Sequence, residues 1–317
     1  MFIDKIMIIM RKILSLVLAL VASTSMFATE GALNGRFTIN EDGDQIFFSQ
    51  GNLQYVGSWQ FATNQWDTLG AAQSDDHRDL FGWGTGDAPN KISTDYVDYL
   101  TYTEWGDNPI TNGGNTAKEW RTLTKEEWAY LFKTRENAAT LFALGSVNGV
   151  NGTILLPDNW VTPEGASFTA STTLGMVLAG IEYYDENGGH FADNTYTTEQ
   201  WAVMESAGAV FLPAAGYRVG TDVYETGSAG LYWSATYLEN RYSYNLLFNE
   251  YELVPTNISI GMNGIFYGIS VRLVKIVDTT PIENVGVTNA VSKTFHDGVL
   301  LIEKNGKFYN ATGAEVR

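Results

Sequence analysis

The segment Tyr237-Leu-Glu-Asn-Arg-Tyr-Ser-Tyr244 gathers side chains suited to recognition in this 317-residue chain. Tyrosine rings supply rigid contact area, an amide supplies a donor and an acceptor, and a guanidinium adds a charge-assisted hydrogen bond. Tyr237, Asn240, Arg241, Tyr242 and Tyr244, with Asn249 and Tyr251 following, are therefore the candidate ligand-binding residues. The ligand expected on such a face is a glycan or a protein. Trp120, Trp128, Trp201 and Trp233 lie in or beside amphipathic segments and are expected in the core. The aromatic loop from Trp59 to Trp83 is the next candidate surface.

Catalytic chemistry has less to build on. Asp75-Asp76 and the set Glu182, Asp185 and Glu186 could supply the facing carboxylates of a polysaccharide hydrolase. With 36 acidic residues, such pairs also arise without function. The alternative to a binding module is thus a hydrolase, and no residue is assigned as catalytic. His77, His190 and His296 are scattered, and none pairs at the i, i+4 spacing of a helical zinc site. Asn40, Asp42 and Asp44 match the first spacings of a calcium loop, but Gln45 stands where its glycine belongs and Gly51 where its glutamate belongs. They read as a hairpin turn. Neither a phosphate loop nor a nucleophile elbow is present, and no cofactor or metal is expected.

The chain carries a formal charge of −17, which disfavours nucleic acid and anionic lipid as partners. It has no cysteine, which excludes disulfides, thiolate metal sites and a cysteine nucleophile. At the start, Lys5, Arg11 and Lys12 precede the apolar run Ile13 to Val21, and small residues follow up to Ala28. That order is a signal peptide over residues 1–28, so the mature protein is expected to begin near Thr29 and to be secreted, extracellular or on the outer cell surface. No later segment is apolar enough to span a membrane.

The elements that must hold the candidate face follow from local signals. Phe37-Thr-Ile39 and Gln45-Ile-Phe-Phe48 flank a turn at Gly43 and predict a hairpin. Thr124-Lys-Glu-Glu127 and Thr197-Thr-Glu-Gln200 are capping boxes, predicting helices over about Lys125 to Arg135 and Thr198 to Ala207. Leu141 to Val147 and Thr153 to Leu156 flank a glycine-rich turn, and Gly230 to Thr236, Ser243 to Phe248 and Gly268 to Val274 read as strands. The expected organisation is one domain over residues 29–276, then a linker and a small β tail over residues 277–317.

Four motifs in this order carry a resemblance. Trp120-Arg-Thr-Leu-Thr-Lys-Glu-Glu-Trp128, Phe211-Leu-Pro-Ala-Ala-Gly-Tyr-Arg218, Gly230-Leu-Tyr-Trp-Ser-Ala-Thr236 and Gly268-Ile-Ser-Val-Arg-Leu-Val274 resemble segments of C-type-lectin-like domains. The groups concerned are the formylglycine-generating (sulfatase-modifying) proteins and the bacterial major paralogous surface domains. The resemblance implies an α+β fold with two principal helices packed on short twisted antiparallel strands, used for ligand display. Formylglycine generation needs cysteine, so that activity is not implied. Trp233-Ser-Ala-Thr236 stands where calcium-dependent lectins have Trp-Asn-Asp, so calcium-dependent sugar binding is not implied either. The tail from Asp297 to Arg317 resembles the end of a type IX sorting domain. The function expected is a bacterial surface binding or adhesion module.

Overall fold

The structure is a computed structural model. It describes residues 30–171, 177–178, 181–182, 190–239, 241–250, 253–258 and 264–277, and in the C-terminal part 291–296, 299–304, 307–309 and 315–316. The proposed signal peptide lies outside the described residues. The chain divides into a larger unit ending at Val277 and a smaller one over Asp278–Arg317. The smaller unit is a four-stranded antiparallel sheet of Val291–His296, Val299–Lys304, Lys307–Tyr309 and Glu315–Val316.

The fold is sheet-rich, with 35 % strand and 16 % helix, and this corrects the expected α+β C-type-lectin-like arrangement. The expected helix starts are present, and both capping boxes are formed. Both helical stretches also end within a residue of the expected bounds; what the expected arrangement lacks is principal helices, since both are short in a body built of strands. The first α-helix, Lys125–Ala129, passes at once into a single wide turn over Tyr130–Thr134. Arg135 then leaves helical geometry and folds its own Nε–H back onto the Leu131 carbonyl at 2.7 Å. The second helix, Thr198–Ser206, stops before Gly208, whose φ of 99° reverses the chain. A Cβ at Gly208 would collide with Gly35, so the close approach also requires glycine there.

Strands make up the body. Phe37–Thr38, Gln45–Phe48, Leu273–Ile276 and Arg121–Thr122 form one antiparallel sheet in that order. Thr195–Tyr196, Phe142–Val147, Val150–Leu155 and Val210–Pro213 form a second, which includes one parallel pair. The central hairpin of this second sheet turns on two residues, Asn148 and Gly149, both with positive φ. That tight turn lets the second strand begin at Val150, earlier than the sequence suggests. Ala229–Glu239, Tyr242–Asn249 and Leu253–Ile258 form a third sheet. Trp59–Phe61, Leu53–Val56 and His77–Arg78 form a fourth.

Three apolar clusters lie among these sheets. Trp128, Phe132, Phe48, Tyr232 and Phe248 belong to the first; Trp59, Trp83, Trp105, Trp120 and Trp233 to the second; Trp201, Tyr196 and Phe211 to the third. A buried polar knot joins them. Arg272 donates to Gln65 Oε1 at 2.9 Å, to Asn52 Oδ1 at 3.4 Å and to the Phe211 carbonyl at 3.5 Å. Asn52 in turn donates to the Tyr232 hydroxyl, which donates to the Pro213 carbonyl. Burial pulls the Arg272 guanidinium below the usual arginine range, so these acceptors are what make its position tolerable.

Candidate functional site

The candidate residues lie along one antiparallel hairpin, Ala229–Glu239 with Tyr242–Asn249. Residues directly opposite in such a pair share a face, and neighbours along a strand alternate. Tyr237 lies opposite Ser243, and Trp233 opposite Asn245. This face turns toward the tryptophan-rich cluster. Tyr242 and Tyr244 occupy the other face, toward the start of the first helix. Lys125 Nζ stands 4.2 Å above the Tyr244 ring, and the Lys125 amide donates to Thr236 Oγ1 at 3.1 Å. The hairpin therefore displays its tyrosines on two sides and not as one flat face. Register shifts beside Tyr237 bend the strand at the point of division.

Arg241 begins the return strand side. Its Nε–H donates to the Tyr242 hydroxyl at 3.0 Å, and its carbonyl accepts from the Ile265 amide at 3.0 Å. Asn249 lies opposite Ala229 at the far end of the hairpin. Seven residue steps from Tyr242 put it about 23 Å away, so it is not part of the same patch. Asn240 and Tyr251 lie outside the described residues.

The structure adds partners from distant segments. The Tyr237 ring, 40 % exposed, rests on the indole of Trp83, with centroids 5.2 Å apart and planes 31° from parallel. Trp83 is 3 % exposed and donates its Nε1–H to the Ser234 carbonyl at 3.0 Å. Tyr102 packs on the same indole at 4.6 Å. Its hydroxyl donates to Glu104 Oε2 at 2.8 Å, and Glu104 Oε1 accepts from the Thr122 hydroxyl at 2.7 Å. Burial, with the Glu104 charge beside it, pushes the Tyr102 phenol far above its ordinary range, so it stays a neutral donor. The exposed ring of Tyr237 is thus held from below by a fixed stack. Trp83, Tyr102 and Lys125 were not assigned to the site from sequence, although Trp83 closes the aromatic loop named as the next candidate.

The carboxylates do not assemble into a hydrolase site among the described residues. The side chain of Asp75 is 80 % exposed and lies 3.4 Å from Arg78. Asp185 and Glu186 lie outside the described residues, and Glu182 is described only as part of a short strand. A cleft of about 310 Å³ does bring Glu164 and Glu199 to one opening beside Tyr196. Glu199 has the wrong character for a general acid there. Its own backbone amide and the Thr197 hydroxyl hold its carboxyl below the usual range, where an acid catalyst needs it raised. The calcium-like stretch closes on itself, with the Asn40 amide and carbonyl both engaged by Asp44. Among the described residues no three histidine, aspartate or glutamate side chains cluster as a metal site. None of their helices is long and apolar enough to cross a membrane.

No family model, no curated protein and no solved structure matches this chain.

Proposed function

We propose that this chain is an extracellular binding module that holds a glycan against the exposed ring of Tyr237. The observation that carries the reading is the Tyr237–Trp83 stack. An exposed aromatic ring that is immobilised from beneath can stack on a sugar ring without first losing rotamer freedom. The net charge of −17 directs the choice toward uncharged ligands and away from nucleic acid. Export through residues 1–28, with the C-terminal unit as a sorting tail, belongs to the same proposal. The reading rests on the rings and their support.

A combined glycan and protein array probed with the wild-type chain and with Tyr237→Ala tests it. Capture of one or more glycans by the wild type, lost in the variant while it remains folded with a single cooperative melt, is expected. Capture of proteins only, or glycan capture that Tyr237→Ala leaves intact, overturns the assignment of ligand or of face.

A further inference from the structure

A second aromatic array lies on a different hairpin. Tyr217–Val219 and Asp222–Tyr224 pair antiparallel around Gly220-Thr221, with Tyr217 opposite Tyr224 and Val219 opposite Asp222. These four residues share one face. Arg218 and Val223 take the other, and Arg218 is fully buried. Its guanidinium donates to the carbonyls of Leu80, Gly220 and Lys91, which pins the hairpin to the body of the domain. At its base, Gly216 has a φ of 73°, and a Cβ there would overlap the Tyr224 carbonyl oxygen. The hairpin is therefore fixed on its inner side and at its root.

On the outer side the rings form a ladder. Tyr224, 45 % exposed, stacks on Tyr217 at 5.5 Å with planes 26° apart. Tyr217 meets Tyr267 at 5.6 Å, and Tyr267 meets Phe266 at 4.7 Å. Asp222 is exposed on the same face, and the Glu225 carboxylate lies close enough to Tyr217 to act on its charge. Tyr217, Tyr267 and Phe266 are half-buried against the tryptophan-rich cluster, so they anchor Tyr224, whose exposed ring is the part of the ladder open to a ligand.

We propose that the Tyr217–Tyr224 hairpin face is a second ligand site, taking uncharged sugar rings of a linear polysaccharide on the Tyr224 platform. Stacking uses the flat face of Tyr224, which Tyr217 holds in place, and the carboxylates of Asp222 and Glu225 accept hydrogen bonds from sugar hydroxyls. Burial raises the phenols of Tyr217 and Tyr267, which keeps both as neutral hydrogen-bonding groups. The carboxylates exclude an anionic polysaccharide by repulsion. They also disfavour the other common ligand of tyrosine-lined surfaces, a proline-rich strand. Such a strand presents carbonyl acceptors, and a carboxylate has no proton to give them. The site rests on the reading of the chain as a glycan-binding module, and the experiment below separates the two.

The full chain is titrated calorimetrically with neutral β-linked hexaoses of glucose, xylose and mannose, with an oligogalacturonate and with decaproline. At least one neutral hexaose binds, and Tyr224→Ala weakens it about tenfold or more, as loss of an anchoring ring does. Tyr224→Phe, which keeps the ring, retains most of the affinity. Unchanged hexaose affinity in a Tyr224→Ala protein that melts normally overturns the second site. If Tyr237→Ala alone abolishes binding, the glycan reading stands and the second site falls. Binding of decaproline or oligogalacturonate in place of the neutral sugars, or of none of the probes, overturns the ligand class.

Discussion

The Tyr237 ring lies over the Trp83 indole, and the two residues are joined twice, by ring contact and by the Trp83 Nε1–H bond to the Ser234 carbonyl on the Tyr237 strand. Tyr237 is thus both the proposed contact surface and the lid of a buried tryptophan. Tyr237→Ala should cost about 1 kcal/mol of stability, the scale of one aromatic pair. It should also shift part of the tryptophan emission to longer wavelength as water reaches Trp83. An emission spectrum identical to that of the wild type would show that the indole does not depend on Tyr237 for its cover.

Trp128 is fully buried, between Phe48 and Phe132, and donates Nε1–H to the Trp233 carbonyl at 3.3 Å. Trp128→Ala is expected to cost roughly 3–5 kcal/mol in denaturant unfolding. Thr124→Ala, which removes the capping hydroxyl of the same short helix, should cost nearer 1 kcal/mol. If the two variants prove equally mild, the first helix is not anchored by its indole.

Gly106 is the tightest backbone crossing among the described glycines. Its carbonyl accepts from the Lys118 amide at 2.7 Å, and a Cβ would fall on the Trp120 carbonyl. Gly106→Ala should destabilise by about 1–3 kcal/mol or more through forced separation of the two segments. Gly43→Ala is the matched control for space, since a Cβ at Gly43 meets nothing, and only its φ of 84° resists. A thermal melt that ranks Gly43→Ala as the worse variant would contradict the crossing.

Burial pushes the phenols of Tyr99 and Tyr196 up to about 12. The hydroxyls donate to the Ser93 and Ser167 carbonyls. Raised folded-state values favour the protonated fold. Their contribution is complete below the unfolded phenol value of about 10 and is lost as pH rises through about 12. Stability measured from pH 9 to 12 should fall, and the double variant Tyr99→Phe with Tyr196→Phe should fall less steeply. An equal slope in both proteins would assign the alkaline loss to other groups.

Local chemistry was legible in the sequence wherever one short segment decides it. Thr124 with Glu127 and Thr197 with Gln200 each form the reciprocal bonds their spacing implies. The hairpin at Gly43 pairs Phe37 with Ile46. Helix bounds were legible too, since the helical stretches end at Thr134 and Ser206, each one residue short of expectation; the extent of sheet was not, because partners such as Leu273–Ile276 and Gln45–Phe48 lie far apart in the chain. The candidate face failed as a single surface for a similar reason. Composition marked Tyr237, Tyr242 and Tyr244 together, but register sends Tyr237 to one side and the other two to the opposite side. The second array had a signal that went unread. In Tyr217-Arg-Val-Gly-Thr-Asp-Val-Tyr224, a two-residue turn at Gly220-Thr221 necessarily sets the two tyrosines opposite each other. Two of the arginines in the motifs that carried the resemblance had no surface role to find, since Arg218 and Arg272 are both buried among carbonyl and amide acceptors.

The strand Leu273–Ile276 lies between Gln45–Phe48 and Arg121–Thr122, with Val274 opposite both Phe48 and Arg121. A ribosome delivers these three pieces in the order outer, outer, middle. A nascent chain that has emerged as far as residue 260 therefore lacks its centre and not its end: Phe48 and Arg121 wait for the same missing neighbour. Joining segments so far apart in sequence is slow because the loop must close before any bond rewards it. Completion of the larger unit is thereby tied to its own final strand, and a nonsense codon shortly before Leu273 would remove the middle of a sheet as surely as one placed at Gln45.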